Sequence, residues 1–301
     1  MQVETNTERW HGARQKRITA SRVGAILGVN PWRPAEDVMK LMLGESKLES
    51  NEILQYGIDN EQNSLNSYSL ATFNTIHPAD FVTHPDHDWL GATPDGLIGD
   101  DCVLEAKTPW RIARFGKGEL KSIHEYPHYY AQVQYQMYCT GRSLAHFYQW
   151  APSQEKLETV SFDPEYIKET LPKLEAFYKA YLMAKEKGLS ATDAVLAYTH
   201  PDLDVVKFKE LVASIDTLDE DLKVLKKLSK SIDDQKKEIL AELAEISSHQ
   251  TVEFDGRAFR RVESSGRVDY GKLLKDICKE HKIEVDEEEY RGNGSVRFQL
   301  Y

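Results

Sequence analysis

The chain has 301 residues, 41% hydrophobic and 29% charged, with a formal net charge of −11. That length accommodates one large core plus an appendage, or two domains, and the acidic balance excludes sequence-wide attraction to nucleic acid, which depends on clustered Lys and Arg. No run of about eighteen apolar residues is present to span a membrane, and Cys102, Cys139 and Cys278 are too scattered for a disulfide framework, a structural zinc site or the four ligands of an iron–sulfur cluster.

The N-terminal "MQVETNTERWHGARQKR" is polar and lacks the apolar core of a signal peptide, so a cytoplasmic protein is expected. Arg9, Arg14, Lys16, Arg17 and Arg22 surround Trp10 in a basic cluster, where any DNA contact is expected; the plainer reading is a solvated arm. "RITASRVGAILGVNPW" predicts a short helix capped by Thr19 or Ser21, with Val23, Ile26 and Leu27 on its apolar face and a stop at Gly28 and Pro31. From Glu52 to about Ala71, Leu54, Ile58, Leu65 and Tyr68 recur at helical spacing, and Glu61 fills the vacant place in that stripe. An acid is thus expected on a buried face.

Between about Phe73 and Lys107, short alternating runs broken by Pro and Gly predict strands. "YPHYYAQVQYQMYCTG" reads as a helix entered at Pro127 and closed at Gly141, "LAHFYQWA" and "LETVSF" as strands, and residues 164–187 as helix. The order predicts an α/β fold, a central mixed sheet flanked by helices. Beyond Pro201, Leu211, Ile215, Leu218, Leu222, Leu225, Ile232, Ile239, Leu243 and Ile246 keep an alternating three-and-four spacing, with Ser229 and Lys236 as polar exceptions. This predicts a coiled-coil-like helical arm, about forty residues and roughly 60 Å long. "TVEFDGRAFRRVE" reads as a hairpin around Asp255-Gly256, "YGKLLKDICKEHKI" as a helix and "SVRFQLY" as a closing strand, together a small α+β unit. Its arginines, Arg257, Arg260, Arg261, Arg267, Arg291 and Arg297, are nearly cancelled by "EVDEEEY". The expected domains are residues 1–200, 201–250 and 251–301.

The chemistry concentrates in "ATPDGLIGDDCVLEAK". Strand alternation puts Val103, Glu105 and Lys107 on one face and Leu104 and Ala106 on the other. Pro94 and Gly96 frame Asp95 at a strand end, and a turn at Gly99-Asp100-Asp101 folds Asp95 back beside Glu105. Two carboxylates so placed repel unless a cation or proton intervenes, and hard oxygen ligands suit Mg²⁺ or Mn²⁺. Taken singly, Asp95 could merely shape a turn while Glu105 and Lys107 form an ion pair. Glu61 and Gln132 supply two further polar groups on faces expected to be buried, where unpaired burial is costly.

Pro94-Asp95, nine residues, then Glu105-Ala106-Lys107 resembles the PD-(D/E)xK nuclease signature. The flanks are similar to the YqaJ-type viral recombinase family of lambda-exonuclease-like nucleases: "WHGARQKRITAS", "YGIDNE", "TPDGL", "LEAK" and "YYAQVQYQMY" match that family's blocks in order, over residues 10 to about 150. The resemblance implies a restriction-endonuclease-like sheet in residues 1–200. It further implies that Asp95, Glu105 and the Ala106 carbonyl hold Mg²⁺, for which Mn²⁺ substitutes, with Glu61 completing a second site or a water-mediated shell. Lys107 would orient or activate the attacking water. Arg14, Ser21, Thr93 and Gln132 would form a pocket for a terminal 5′-phosphate, with Trp10 stacking near the DNA end. Thr93 stands where the family carries serine, keeping the hydroxyl and adding a methyl.

The implied activity is Mg²⁺-dependent 5′→3′ exonuclease action on double-stranded DNA ends, in phage or prophage recombination. A single-strand annealing protein is the implied partner and a ring-shaped homotrimer the implied assembly. The alternatives are an endonuclease with the same core, and a non-catalytic DNA-binding or scaffolding protein whose long helix is its working surface.

Overall fold

A computed structural model describes residues 14, 16–47, 51–116, 118–263 and 266–284. Trp10 and the expected closing strand "SVRFQLY" lie outside the described residues. The chain divides into two compact units, Met1–Ser214 and Ile215–Tyr301.

In the first unit, β1 (Ile18–Thr19) leads into α1 (Ala20–Ile26), α2 (Ala35–Leu43) and α3 (Glu52–Thr72). The strands β2 (Ile76–His77), β3 (Val82–Thr83), β4 (Leu90–Ala92), β5 (Gly96–Ile98) and β6 (Cys102–Lys107) follow, then α4 (Trp110–Phe115) and a 3₁₀ turn at Ile123–Glu125. The unit continues with α5 (Pro127–Thr140), β7 (Leu144–Ala151), β8 (Gln154–Ser161), α6 (Pro164–Lys187) and α7 (Ala191–Thr199). The main sheet is mixed, in the order β2-β5-β6-β7-β8, with β6 and β7 parallel and the other pairs antiparallel. A smaller sheet, β1-β4-β3, lies within the same unit.

The alternation read from the sequence sets the layers. Val103 packs with Val133 and Met137 of α5, whereas Leu104 packs with Tyr68 of α3 and Tyr148 of β7. The even and odd positions of β6 therefore face different helices. A larger core joins α1, α2, α5, α6 and α7 through Val23, Met39, Tyr135, Leu174, Phe177 and Ala194, all fully buried. At about 1.5–3 kcal/mol per buried large apolar side chain, this cluster makes α1 and α5 a rigid pair. Gly24 permits their close crossing, since a Cβ there would lie 2.8 Å from His128 Cβ. The crossing fixes α1, and with it Ser21, relative to α5.

Two local expectations are corrected. Thr19 is the N-cap residue of α1 but makes no capping hydrogen bond; its hydroxyl pairs with Ser21 Oγ at 3.1 Å instead. The apolar stripe of α3 is buried only in its C-terminal half: Tyr68 is covered by the sheet, while Leu54 is 39% and Ile58 57% exposed. Glu61 lies on that open half and is solvent-exposed, so burial does not account for it.

The long helix is observed as α8 (Val205–Ile246, 42 residues). Its seam residues, including Leu218, Leu222, Leu225 and Ile232, are exposed. In the second unit β9 (Val252–Phe254) and β10 (Arg257–Phe259) form the expected antiparallel hairpin, followed by α9 (Tyr270–His281). Asp255 and Gly256 both take positive φ, 45° and 72°, as a two-residue hairpin turn requires. Among the described residues, no helix is long and apolar enough to cross a membrane.

Candidate active site

Pairing of β5 with β6 carries the site. Asp95, just before β5, donates its N–H to the Leu104 carbonyl at 3.0 Å, and its Oδ2 accepts a 2.7 Å hydrogen bond from the Ala106 N–H. Glu105 is 2% exposed and turns toward α5. Gln132 Nε2 donates to Glu105 Oε1 and Gln136 Nε2 to Oε2, both at 2.5 Å. Lys107 Nζ pairs with Glu105 Oε1 and lies 4.9 Å from the Tyr129 ring centroid, within cation–π range. Asp100 and Asp101 stay in the turn, where the Asp101 carboxylate accepts from the Ser143 N–H at 2.8 Å.

The electrostatics follow from this crowding. Burial and then the Glu105 charge raise the Asp95 carboxyl well above the usual range; Lys107 and the Ala106 N–H oppose the rise and Glu61 adds to it. Burial works to lower the Lys107 pKa, but Glu105, Tyr129 and Asp95 outweigh it, so the ammonium stays charged. Lys107 is thus suited to orienting water and neutralising charge, not to accepting a proton. Partial withdrawal from water and then the Glu105 charge raise Glu61, against Lys107. Glu61 makes no hydrogen bond to either carboxylate among the described residues and acts on them through charge.

Two adjoining carboxylates, with the charged form of Asp95 disfavoured by burial and by the Glu105 charge, fit a hard divalent cation, and Mg²⁺ is commonly held by one or two carboxylates with water and substrate phosphate completing its shell. Among the described residues, no three His, Cys, Asp or Glu side chains come together as a self-sufficient metal cage. The adjoining carboxylates that could offer oxygens to such a cation are those of Asp95 and Glu105.

Beside them lies a group of anion donors. Arg14 Nη1 donates to Thr93 Oγ1 at 3.2 Å and Nη2 to Ser21 Oγ at 3.3 Å. Arg22 Nη1 donates to the carbonyls of Arg14 at 3.1 Å and Arg17 at 2.9 Å, fixing the backbone that carries the first guanidinium. Burial lowers the Arg14 pKa to about 10 against the opposing charge of Glu105, which leaves it protonated at neutral pH. Of the residues expected in this group, Arg14, Ser21 and Thr93 come together, Gln132 turns to Glu105, and Trp10 lies outside the described residues.

Residues 9–143 match the family described as the YqaJ-like viral recombinase domain. This stretch of the chain is similar to that family. That span takes in the Arg14 group, Glu61, the Asp95–Lys107 hairpin and all of α5. The crystal structure of an alkaline exonuclease from Laribacter hongkongensis is similar over 69% of this chain and 100% of that one, with 25% identity and a TM-score of 0.47. The same exonuclease in complex with dAMP gives a TM-score of 0.48 at equal identity and coverage. A phage-related exonuclease from Haemophilus somnus 129PT is similar over 57% of this chain and 96% of its own, with 12% identity and a TM-score of 0.46. Among curated proteins there is no significant match.

Two residues of this region escaped the sequence reading. Arg22 was grouped only with the basic cluster. Gln136 was not singled out, although it stands one helical turn after Gln132 on a face otherwise filled by Val133 and Met137. A second amide on a buried helical face was the available signal. Replacing Gln136 with leucine leaves Glu105 Oε2 without its donor, so a stability loss of about 1.5–3 kcal/mol is expected. Denaturant unfolding measures it, and an unchanged midpoint would show that Oε2 does not depend on this amide.

Proposed function

We propose that the protein is a Mg²⁺-dependent exonuclease that degrades double-stranded DNA from 5′ ends and leaves 3′ single strands for recombination. The observation that carries this reading is the Asp95–Glu105–Lys107 cluster lying beside the Arg14–Ser21–Thr93 anion donors. The first has the chemistry for phosphodiester hydrolysis, and the second for holding a terminal phosphate.

Asp95, Glu105 and the Ala106 carbonyl would hold Mg²⁺, with Mn²⁺ substituting and Glu61 completing a second site or a water-mediated shell. The ion's contribution when bound is to polarise phosphoryl oxygens and to acidify water. The Arg14 guanidinium forks onto two oxygens of the terminal 5′-phosphate, and the Ser21 and Thr93 hydroxyls donate to the remainder. This anchoring presents the first phosphodiester to the carboxylate cluster. Lys107, held as a cation, orients the attacking water and neutralises charge gathering on the phosphoryl oxygens. Water oxygen bonds to phosphorus, the bond to the 3′ oxygen of the terminal nucleotide breaks, and that oxygen takes up a proton. The phosphate stays on the shortened strand, so each cycle regenerates the 5′-phosphate that Arg14 binds.

In this reading residues 1–200 carry the nuclease, residues 201–250 an arm and residues 251–301 an appended unit. The family description supports a recombination role in a phage or prophage and hence the cytoplasm of a bacterial host, with a single-strand annealing protein receiving the 3′ strands. A homotrimeric ring would enclose DNA in a locally basic channel while the outer surface stays acidic.

Linear duplex and covalently closed circular duplex, incubated with Mg²⁺, separate the readings. Degradation of the linear form with survival of the circle is expected. Nicking of the circle would favour an endonuclease, and no Mg²⁺-dependent cleavage of either form would remove the nuclease assignment.

A further inference from the structure

His128 is 7% exposed, and neither of its ring nitrogens has a hydrogen-bond partner among the described residues. Buried imidazoles ordinarily find one, because an unmade hydrogen bond costs free energy. The surroundings of this ring are aromatic: Tyr129 at 4.1 Å between centroids, Tyr126 at 6.0 Å, and Trp32 in a T-shaped pair at 5.0 Å with an interplanar angle of 89°. Tyr129 in turn faces Lys107 Nζ. A continuous run of ring contacts therefore leads from Lys107 outward to Trp32, which is 72% exposed.

The turn bearing Trp32 is stiff. Asn30 Oδ1 accepts from the Trp32 N–H at 2.9 Å and from the Arg33 N–H at 3.2 Å, and Pro31 and Pro34 flank the pair. A single exposed apolar side chain is ordinary on a protein surface. An exposed indole on a pinned turn, set against an imidazole with no partner and linked by ring contacts to the site, is a different arrangement. The pinned backbone limits the entropy lost when the indole settles on a flat ligand.

We propose that Trp32 and His128 form a subsite for the nucleobase at the 5′ end of the strand being degraded, Trp32 stacking on its face and His128 hydrogen-bonding its edge. The proposal rests on the exonuclease reading above. The two rings meet at right angles, and the subsite requires the Trp32 side chain to turn onto the base so that a His128 ring nitrogen is reached. Burial and then the Lys107 charge lower the His128 pKa to about 4, which keeps the ring neutral with one donor and one acceptor. That pair suits a base edge, whereas the phosphate belongs to Arg14. Stacking is also indifferent to base identity.

The test compares 5′-phosphorylated duplexes whose terminal nucleotide is intact or abasic. For the wild type, loss of the terminal base is expected to lower kcat/KM about tenfold, mainly through KM. Trp32→Ala, at an exposed position, should lose about tenfold on the intact end and nothing further on the abasic end; His128→Phe should show the same non-additivity with a smaller loss. Equal losses on both substrates, or no loss, would overturn the subsite. So would a loss that follows an abasic site in the complementary strand. Binding of the same duplexes in EDTA, read by fluorescence anisotropy, reports on the subsite without cleavage. A base-dependent loss in Trp32→Ala there, with no 5′→3′ degradation by the wild type, would keep the subsite and reject the exonuclease reading.

Discussion

Asp95→Asn is expected to reduce Mg²⁺-dependent cleavage at least about a thousandfold while stabilising the metal-free protein. The first effect follows from the loss of one of two carboxylates that would hold the ion: a metal contributes several kcal/mol to transition-state stabilisation, and about 4 kcal/mol is a thousandfold. The second follows from the raised Asp95 pKa, which burial and the Glu105 charge impose. A carboxyl whose folded pKa exceeds its unfolded value of about 4 costs stability as pH rises through that interval, so at neutral pH the metal-free fold carries the penalty. Asparagine removes the charge and keeps an oxygen that can accept from the Ala106 N–H. Each kcal/mol relieved is expected to raise the thermal midpoint by about 2–4 °C.

Lys107→Ala should lower cleavage by about 10²–10⁴-fold with the opposite sign on stability, because it strips a cation from the 2% exposed Glu105. Differential scanning calorimetry in EDTA, alongside initial rates in Mg²⁺, distinguishes the two variants. Destabilisation by both would mean that burial and the Glu105 charge do not disfavour the charged form of Asp95.

Arg14→Ala is expected to abolish preference for 5′-phosphorylated over 5′-hydroxyl ends. Hydrogen bonds to a charged group contribute about 1.5–3 kcal/mol, so kcat/KM on the phosphorylated end should fall about 10- to 100-fold and approach the hydroxyl value. Arg14→Lys keeps the charge but not the fork that reaches two oxygens, and should recover only part of the loss. Thr93 and Ser21 already hold the guanidinium through their hydroxyls. Thr93→Val should therefore lower the preference by a smaller factor, while Thr93→Ser should retain it. An equal fall on both substrates would move Arg14 from end recognition to general binding of DNA.

The hairpin from Asp95 to Lys107 was legible in the sequence because strand periodicity alone fixes which side chains share a face. One turn glycine then sets the return, and the observed register of Gly96 opposite Leu104 follows. The 42-residue helix was legible for the same kind of reason, an unbroken three-and-four spacing without Gly or Pro. Glu61 shows where periodicity stops informing: the stripe on α3 is real, but the sheet covers only its C-terminal half, and how far a helix overhangs its sheet is a tertiary property. Gln132 and Gln136 show a second limit. Their spacing places both on one face of α5, yet only the close approach of α5 to β6 reveals that they take opposite oxygens of Glu105. The short helices α2 and α7 were not read at all; their apolar residues join a core whose other members come from distant parts of the chain.

The most direct test of the proposed activity uses one linear duplex in two forms, labelled at the 5′ phosphate or at the 3′ end of the same strand, digested with Mg²⁺ under conditions of slow turnover. The account predicts that the 5′ label leaves first, as a mononucleotide, while the 3′ label remains in a strand that shortens gradually. Release of the 3′ label first, or the appearance of internal fragments from either form, would contradict it.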